Sequence, residues 1–246
     1  MKRFLHDAVF SLALSGIAGI FPSFSAPMLA NSAPILLSQN VNFKHPDFGA
    51  PDNRKKGTPA GVICPRDLSI IALIPPSNRG LTVAESPILF AYISQASTRL
   101  EFILQTQDTN QTLIYETTFT VEKAGIVGVS IPATRDKKKS IEVGKEYQWV
   151  FSVVCDPEDR STDYYVHGLV QRIEPVPSLT SELANPDPMA RAIAYAKNEI
   201  WYDTVATLAD MRRKAPDDAM LTAEWRHLLQ SQKLDSIANQ PLVQFF

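Results

Sequence analysis

Residues 141–156 read IEVGKEYQWVFSVVCD, and the alternation within them decides the fold. Tyr147, Trp149, Phe151, Val153 and Cys155 fall on one side of an extended chain. Gln148, Val150, Ser152, Val154 and Asp156 fall on the other. The side that carries the aromatic rings is a core side, so the stretch is predicted to be a strand with one buried face.

Working outward, the same β-rich character recurs between Leu68 and Ile173 as LSIIALI, PILFAYIS, LEFILQT, TLIYETTFTV, IVGVSI and YYVHGLVQRI, separated by turn residues. With the opening stretch these are seven strands with no helical period between them, which predicts an antiparallel β-sandwich, with a small barrel as the alternative. The turn formed by Ile141, Gly144 and Tyr147 resembles the tyrosine corner of immunoglobulin and fibronectin-III-like sandwiches, where a Tyr hydroxyl bonds backbone as strand F begins. Val143 stands where proline is frequent. No cysteine follows Tyr147 by two residues, which excludes an antibody-type bridge between sheets.

After residue 174 the pattern becomes helical. Asp187 with Pro188 forms a helix start, Pro216 stops a helix, and Asp217 or Asp218 caps the next. Leu221, Trp225, Leu228 and Leu229 make one amphipathic stripe. Tyr195, Trp201, Val205, Leu208 and Met211 make another, broken near Asn198-Glu199. The stretch resembles one tetratricopeptide-like helical hairpin, without the second copy that a tandem array needs. The expected fold class is therefore β-rich α+β, a sandwich followed by a small C-terminal helical subdomain.

The N-terminus sets the compartment. Lys2 and Arg3 precede the apolar run AVFSLALSGIAGIF and the small-residue stretch PSFSAPMLA, the order of a secretory signal peptide, with cleavage placed after Ala30. The run is shorter than a membrane span, so no stable span is expected after cleavage. The resulting division is 1–30 signal peptide, 31–61 mobile lead segment, 62–174 sandwich and 175–246 helical subdomain. The expected location is extracytoplasmic, periplasmic or secreted. A formal charge of −2 without a basic stripe argues against nucleic acid as a partner.

In an oxidising compartment the two cysteines, Cys64 and Cys155, make one disulfide's worth. In an alternating seven-stranded sandwich, the start of strand one and the end of strand six lie at the same end, which brings these two residues together. Closing a loop of about 90 residues would stabilise the fold by about 4–5 kcal/mol in the chain-entropy model. The rival role for Cys155, a thiolate activated by His167, lacks a third residue to orient the imidazole and needs a thiol that the alternation points inward.

The chain resembles a family of secreted cyanobacterial proteins catalogued as domain of unknown function 928. The likeness rests on Cys64-Pro65, LIPPSNRGLTVAESPILFAYIS, TTFTVEKAGIVGVSIP, GKEYQWVFSVVC, HGLVQRI and IWYDTVATLADMRRKAPDDAMLTAEWRHLL, and covers about residues 60 to 240. Asn198-Glu199 stands where the resemblance implies a glycine. The family implies a compartment and a layout, with no substrate, cofactor or catalytic residue.

Other chemistry is weakly marked. The four histidines, His6, His45, His167 and His227, are far apart, and no metal site or cofactor is expected. Asp156, Glu158, Asp159 and Asp163 could hold calcium but lack the glycine punctuation of a calcium loop. RDKKK (135–139) and MRRK (211–214) read as solubilising runs, the second placed where cations meet a helix C-terminus. Trp201, Tyr202 and Trp225 are candidate binding residues for a groove between helices, against a plainer reading as packing residues. The expected function is a non-enzymatic recognition or accessory module for an envelope protein or glycan. The alternative is an envelope hydrolase with carboxylates where the sandwich meets the helices.

Overall fold

The seven sequence-read strands all form, and every pairing among them is antiparallel. In the computed structural model, which describes residues 41–44, 54–57, 64, 67–133 and 140–246, they belong to two five-stranded sheets. The signal segment 1–30 and the RDKKK run lie outside the described residues. The first sheet has the order β1 (Lys55–Gly57), β2 (Ser69–Ala72), β4 (Ile88–Ile93), β7 (Gly125–Ser130), β10 (Leu242–Phe245). The second has the order β3 (Arg79–Thr82), β9 (Tyr164–Arg172), β8 (Glu146–Val153), β5 (Thr98–Thr106), β6 (Leu113–Val121).

The sheets are mixed, which corrects the purely antiparallel expectation. β3 runs parallel to β9, and β10 parallel to β7. Both are four-residue strands, RGLT and LVQF, too short to show a period of two. β10 also returns to the sandwich from beyond the helices, so a strand closes the region read as helical.

Alternation places the core correctly. Tyr147, Trp149, Phe151 and Val153 are buried together with inward residues of both sheets, among them Ile70, Leu89, Phe102, Val129, Val166 and Val170. The Tyr147 hydroxyl accepts the Glu142 N–H at 2.9 Å, the backbone bond expected of that corner. Packing is close at Gly168, where a Cβ would lie 2.5 Å from both Ile74 Cδ1 and Trp149 Cζ2. Only glycine admits the indole there.

Parts of the 31–61 segment belong to this core. Val41 and Phe43 are buried, and the Phe43 ring meets Trp201 edge-on at 5.0 Å. Arg54, fully buried, donates from Nη1 to the carbonyls of Ile74 (3.0 Å) and Gln232 (2.6 Å), and Lys55–Gly57 pairs with β2. These residues carry no apolar period because each is held by a distant partner and not by its neighbours.

The helices are α1 (Pro177–Leu183), α2 (Pro188–Lys197), α3 (Trp201–Lys214) and α4 (Ala219–Ser231). Asp187 caps α2 through Met189 N and Ala190 N, and Asp218 caps α4 through Met220 N and Leu221 N. Between α2 and α3, Glu199 adopts φ 59°, the left-handed conformation for which the resemblance implied glycine. Helix α3 packs on β3 and β4 and joins helices to sandwich.

Candidate functional site

The aromatic candidates separate into two places. Trp201 and Tyr202 open α3 and are buried in the joint with the sandwich. The Trp201 indole donates to the Leu73 carbonyl at 2.9 Å. Tyr202 accepts the Trp149 indole N–H at 2.7 Å and donates to the Leu169 carbonyl at 2.9 Å. Neither ring has a face for a ligand. Burial pushes the Tyr202 phenol far above its ordinary value, so it remains a donor throughout the accessible pH range.

Beside them Asp203, three residues into α3, is a buried carboxylate at the junction of sandwich and helices. It accepts the Val83 N–H at 3.2 Å and is also bonded by the Thr82 side chain. Burial outweighs these bonds and pushes its carboxyl up to about 6. The sequence reading missed Asp203, although an acid within an otherwise apolar IWYDTV segment was a usable signal.

Trp225 lies elsewhere, on the buried face of α4, with the Arg212 guanidinium 5.1 Å from its ring centroid. Arg212, Arg213, Pro216, Pro241 and Leu242 line a cavity of about 250 Å³. Arg212 and Arg213 come from the last turn of α3, where cations complement the helix dipole. Pro216 ends that helix. Pro241 and Leu242 are held by β7, with Ile126 N donating to the Pro241 carbonyl at 2.8 Å. That close approach needs Gly125, where a Cβ would lie 2.5 Å from Val243 Cγ1 and 2.7 Å from the Pro241 oxygen.

The charges at this cavity do not balance locally. The Asp210 carboxylate binds Arg213 (2.8 Å) and Lys214 (2.6 Å), and these two cations, Lys214 foremost, hold its carboxyl below the usual range. Arg226 donates from Nε to the neutral Asn239 amide oxygen at 2.9 Å. Arg212 forms no ion pair among the described residues, and its Nε and Nη1 are buried without a hydrogen bond, as is the Trp225 indole N–H. Burial, and then the nearby Arg226 charge, lowers the Arg212 value. Unpaired buried donors of this kind are rare in folded proteins. The arrangement can bind an anion. The MRRK run gave part of it, but the sequence could not show which of its cations lacks an acid.

The remaining candidates are structural in their placement. Cys64 and Cys155 sit at disulfide distance, with Cα atoms 4.9 Å apart. His167 lies in β9 opposite Val150. In the acidic loop, Asp163 accepts Cys155 N and Arg160 Nε, Asp159 accepts Ser161 N and Oγ, and Asp156 accepts Glu158 N. Arg160 also forks onto Glu101. These carboxylates are thus engaged with the loop's own donors, and no cluster of metal-ligating side chains occurs among the described residues.

The family model described as Domain of Unknown Function (DUF928) matches residues 55–242 of the chain. No curated protein matches it.

Proposed function

Because this chain belongs to the family described as Domain of Unknown Function (DUF928), which carries no activity with it, we propose its role from the site: it is an exported recognition module that binds an envelope protein or glycan. The observation that carries the reading is the Arg212 cavity, where a half-buried guanidinium has no carboxylate among the described residues and no hydrogen-bond acceptor on Nε and Nη1. Binding without chemistry suits such a site, since it offers a charge and an apolar wall and no acid, base or nucleophile. Export is supported by the signal-like order of residues 1–30 and by the pairing distance of Cys64 and Cys155. The finer likeness to immunoglobulin or fibronectin-III sandwiches is supported by the Tyr147 corner. The tetratricopeptide-like reading rests on the stripes of α3 and α4.

The test is co-sedimentation of the exported chain with purified envelope protein and polysaccharide fractions, comparing wild type with Arg212→Gln. Retention that the substitution weakens is the expected result. No retention on any fraction removes the recognition reading.

A second reading, the envelope hydrolase, is favoured by Asp203, a carboxyl raised to about 6 at the junction of sandwich and helices. It requires release of reducing ends or peptides from envelope material that Asp203→Asn abolishes. Equal release by both proteins, or none, removes it.

A further inference from the structure

On the recognition reading, we infer that the Arg212 cavity takes a single sugar residue carrying one carboxylate, of the uronic acid class. Three observations narrow the ligand to this chemistry.

The first is charge. Of the two arginines that line the cavity, Arg213 pairs with Asp210 and Arg212 has no acid partner among the described residues. A guanidinium without an acid in a partly dehydrated site matches a carboxylate, whose two oxygens suit its planar fork.

The second is size. A volume of about 250 Å³ lies just below the range of about 300–1,000 Å³ typical of small-molecule pockets. That is far more than a carboxylate alone fills and less than an extended ligand needs. The other lining residues, Pro216, Pro241 and Leu242, are apolar and suit the C–H faces of a compact ring.

The third bears on a peptide as the alternative ligand. The prolines lining the cavity offer no N–H. Beside it, Gln244 of β10 bonds the end of β6, its Oε1 accepting Glu122 N at 3.1 Å and its Nε2 donating to the Thr120 carbonyl at 3.4 Å. The Phe119 and Phe246 rings stack across the same gap, with centroids 3.9 Å apart. A peptide approaching that edge of β10 would meet the Gln244 and Phe246 side chains first.

The experiment titrates the intact exported chain with glucuronate, glucose and inorganic phosphate at fixed ionic strength, following indole N–H signals by ¹⁵N–¹H NMR. The expected result is saturable binding of glucuronate that moves the Trp225 indole signal and leaves those of Trp149 and Trp201 in place. Glucose should bind at least about tenfold more weakly, as loss of a charge-assisted bond predicts. Arg212→Gln should weaken glucuronate to the level of glucose. Glucose binding as well as glucuronate, phosphate binding more tightly, or no movement of the Trp225 signal would each overturn the inference. The comparison of probes on wild-type protein decides the matter even if the substitution prevents folding. Glucuronate failing while envelope fractions still retain the chain overturns the sugar acid alone. Glucuronate binding without such retention overturns the envelope role alone.

Discussion

Trp149 donates its indole N–H to the Tyr202 hydroxyl across 2.7 Å, and this bond joins the core of the sandwich to the first turn of α3. The hydroxyl passes the interaction on to the Leu169 carbonyl in β9. Gly168, beside that carbonyl, leaves the space that the indole fills. Strand, helix and glycine thus depend on one another at a single buried point.

Tyr202→Phe keeps the ring and removes the acceptor, leaving the Trp149 donor buried without a partner. Urea unfolding of the variant should show a loss of about 1–3 kcal/mol. An unchanged midpoint would mean that the bond does not couple the two parts.

Asp203 makes stability depend on pH with a definite sign. Its folded value of about 6 lies above the ordinary 3.8, so between those values the folded chain holds a proton that the unfolded chain has released. The stability contributed by this group is fully present below about pH 4 and is lost as pH rises through about 6, up to about 3 kcal/mol in all. Asp203→Asn keeps an oxygen for the Val83 N–H and removes the titration. Relative to wild type it should be matched at pH 4 and more stable at pH 7 in urea unfolding. Parallel pH curves for the two proteins would refute the assignment.

What the sequence revealed and what it hid follow from the range of the interactions. The strand from Glu146 to Val153 was legible because four inward residues recur at a period of two. Asp187 and Asp218 were legible because a cap acts within three residues. β3 and β10 were hidden because four residues carry no period and their parallel partners lie far along the chain. Arg54 read as part of a polar lead, since its acceptors, Ile74 and Gln232, are 20 and 178 residues away. Arg212 looked like one of several solubilising cations. Its isolation appears only when Asp210 is seen to serve Arg213 and Lys214 instead.

Glu199 tests a backbone argument. At φ 59° it occupies the left-handed region, which costs a non-glycine residue about 1–2 kcal/mol. Glu199→Gly relieves that strain but frees the unfolded chain, so the net gain should be about 0.5–1 kcal/mol. Glu199→Ala retains the strain and should give no comparable gain. Thermal or urea unfolding of both variants compares them, and equal effects would show that the backbone conformation is not what matters.

The cysteine pair tests what pins the N-terminal segment. Thiol titration of the unfolded, unreduced chain should find no reactive thiol, and reduction should expose both. Cys64→Ser with Cys155→Ser should lose about 4–5 kcal/mol, the chain-entropy value for a loop of this length. Upstream of Cys64, however, Phe43 packs on Trp201, Val41 N donates to Glu224 Oε2 at 2.9 Å, and Arg54 reaches Ile74 and Gln232. These contacts do not involve the sulfurs. In the double variant under native conditions the Trp201 indole signal should therefore stay where it is in wild type. A shift of that signal toward the unfolded position, with the sandwich still folded, would show that the disulfide alone holds the segment in place.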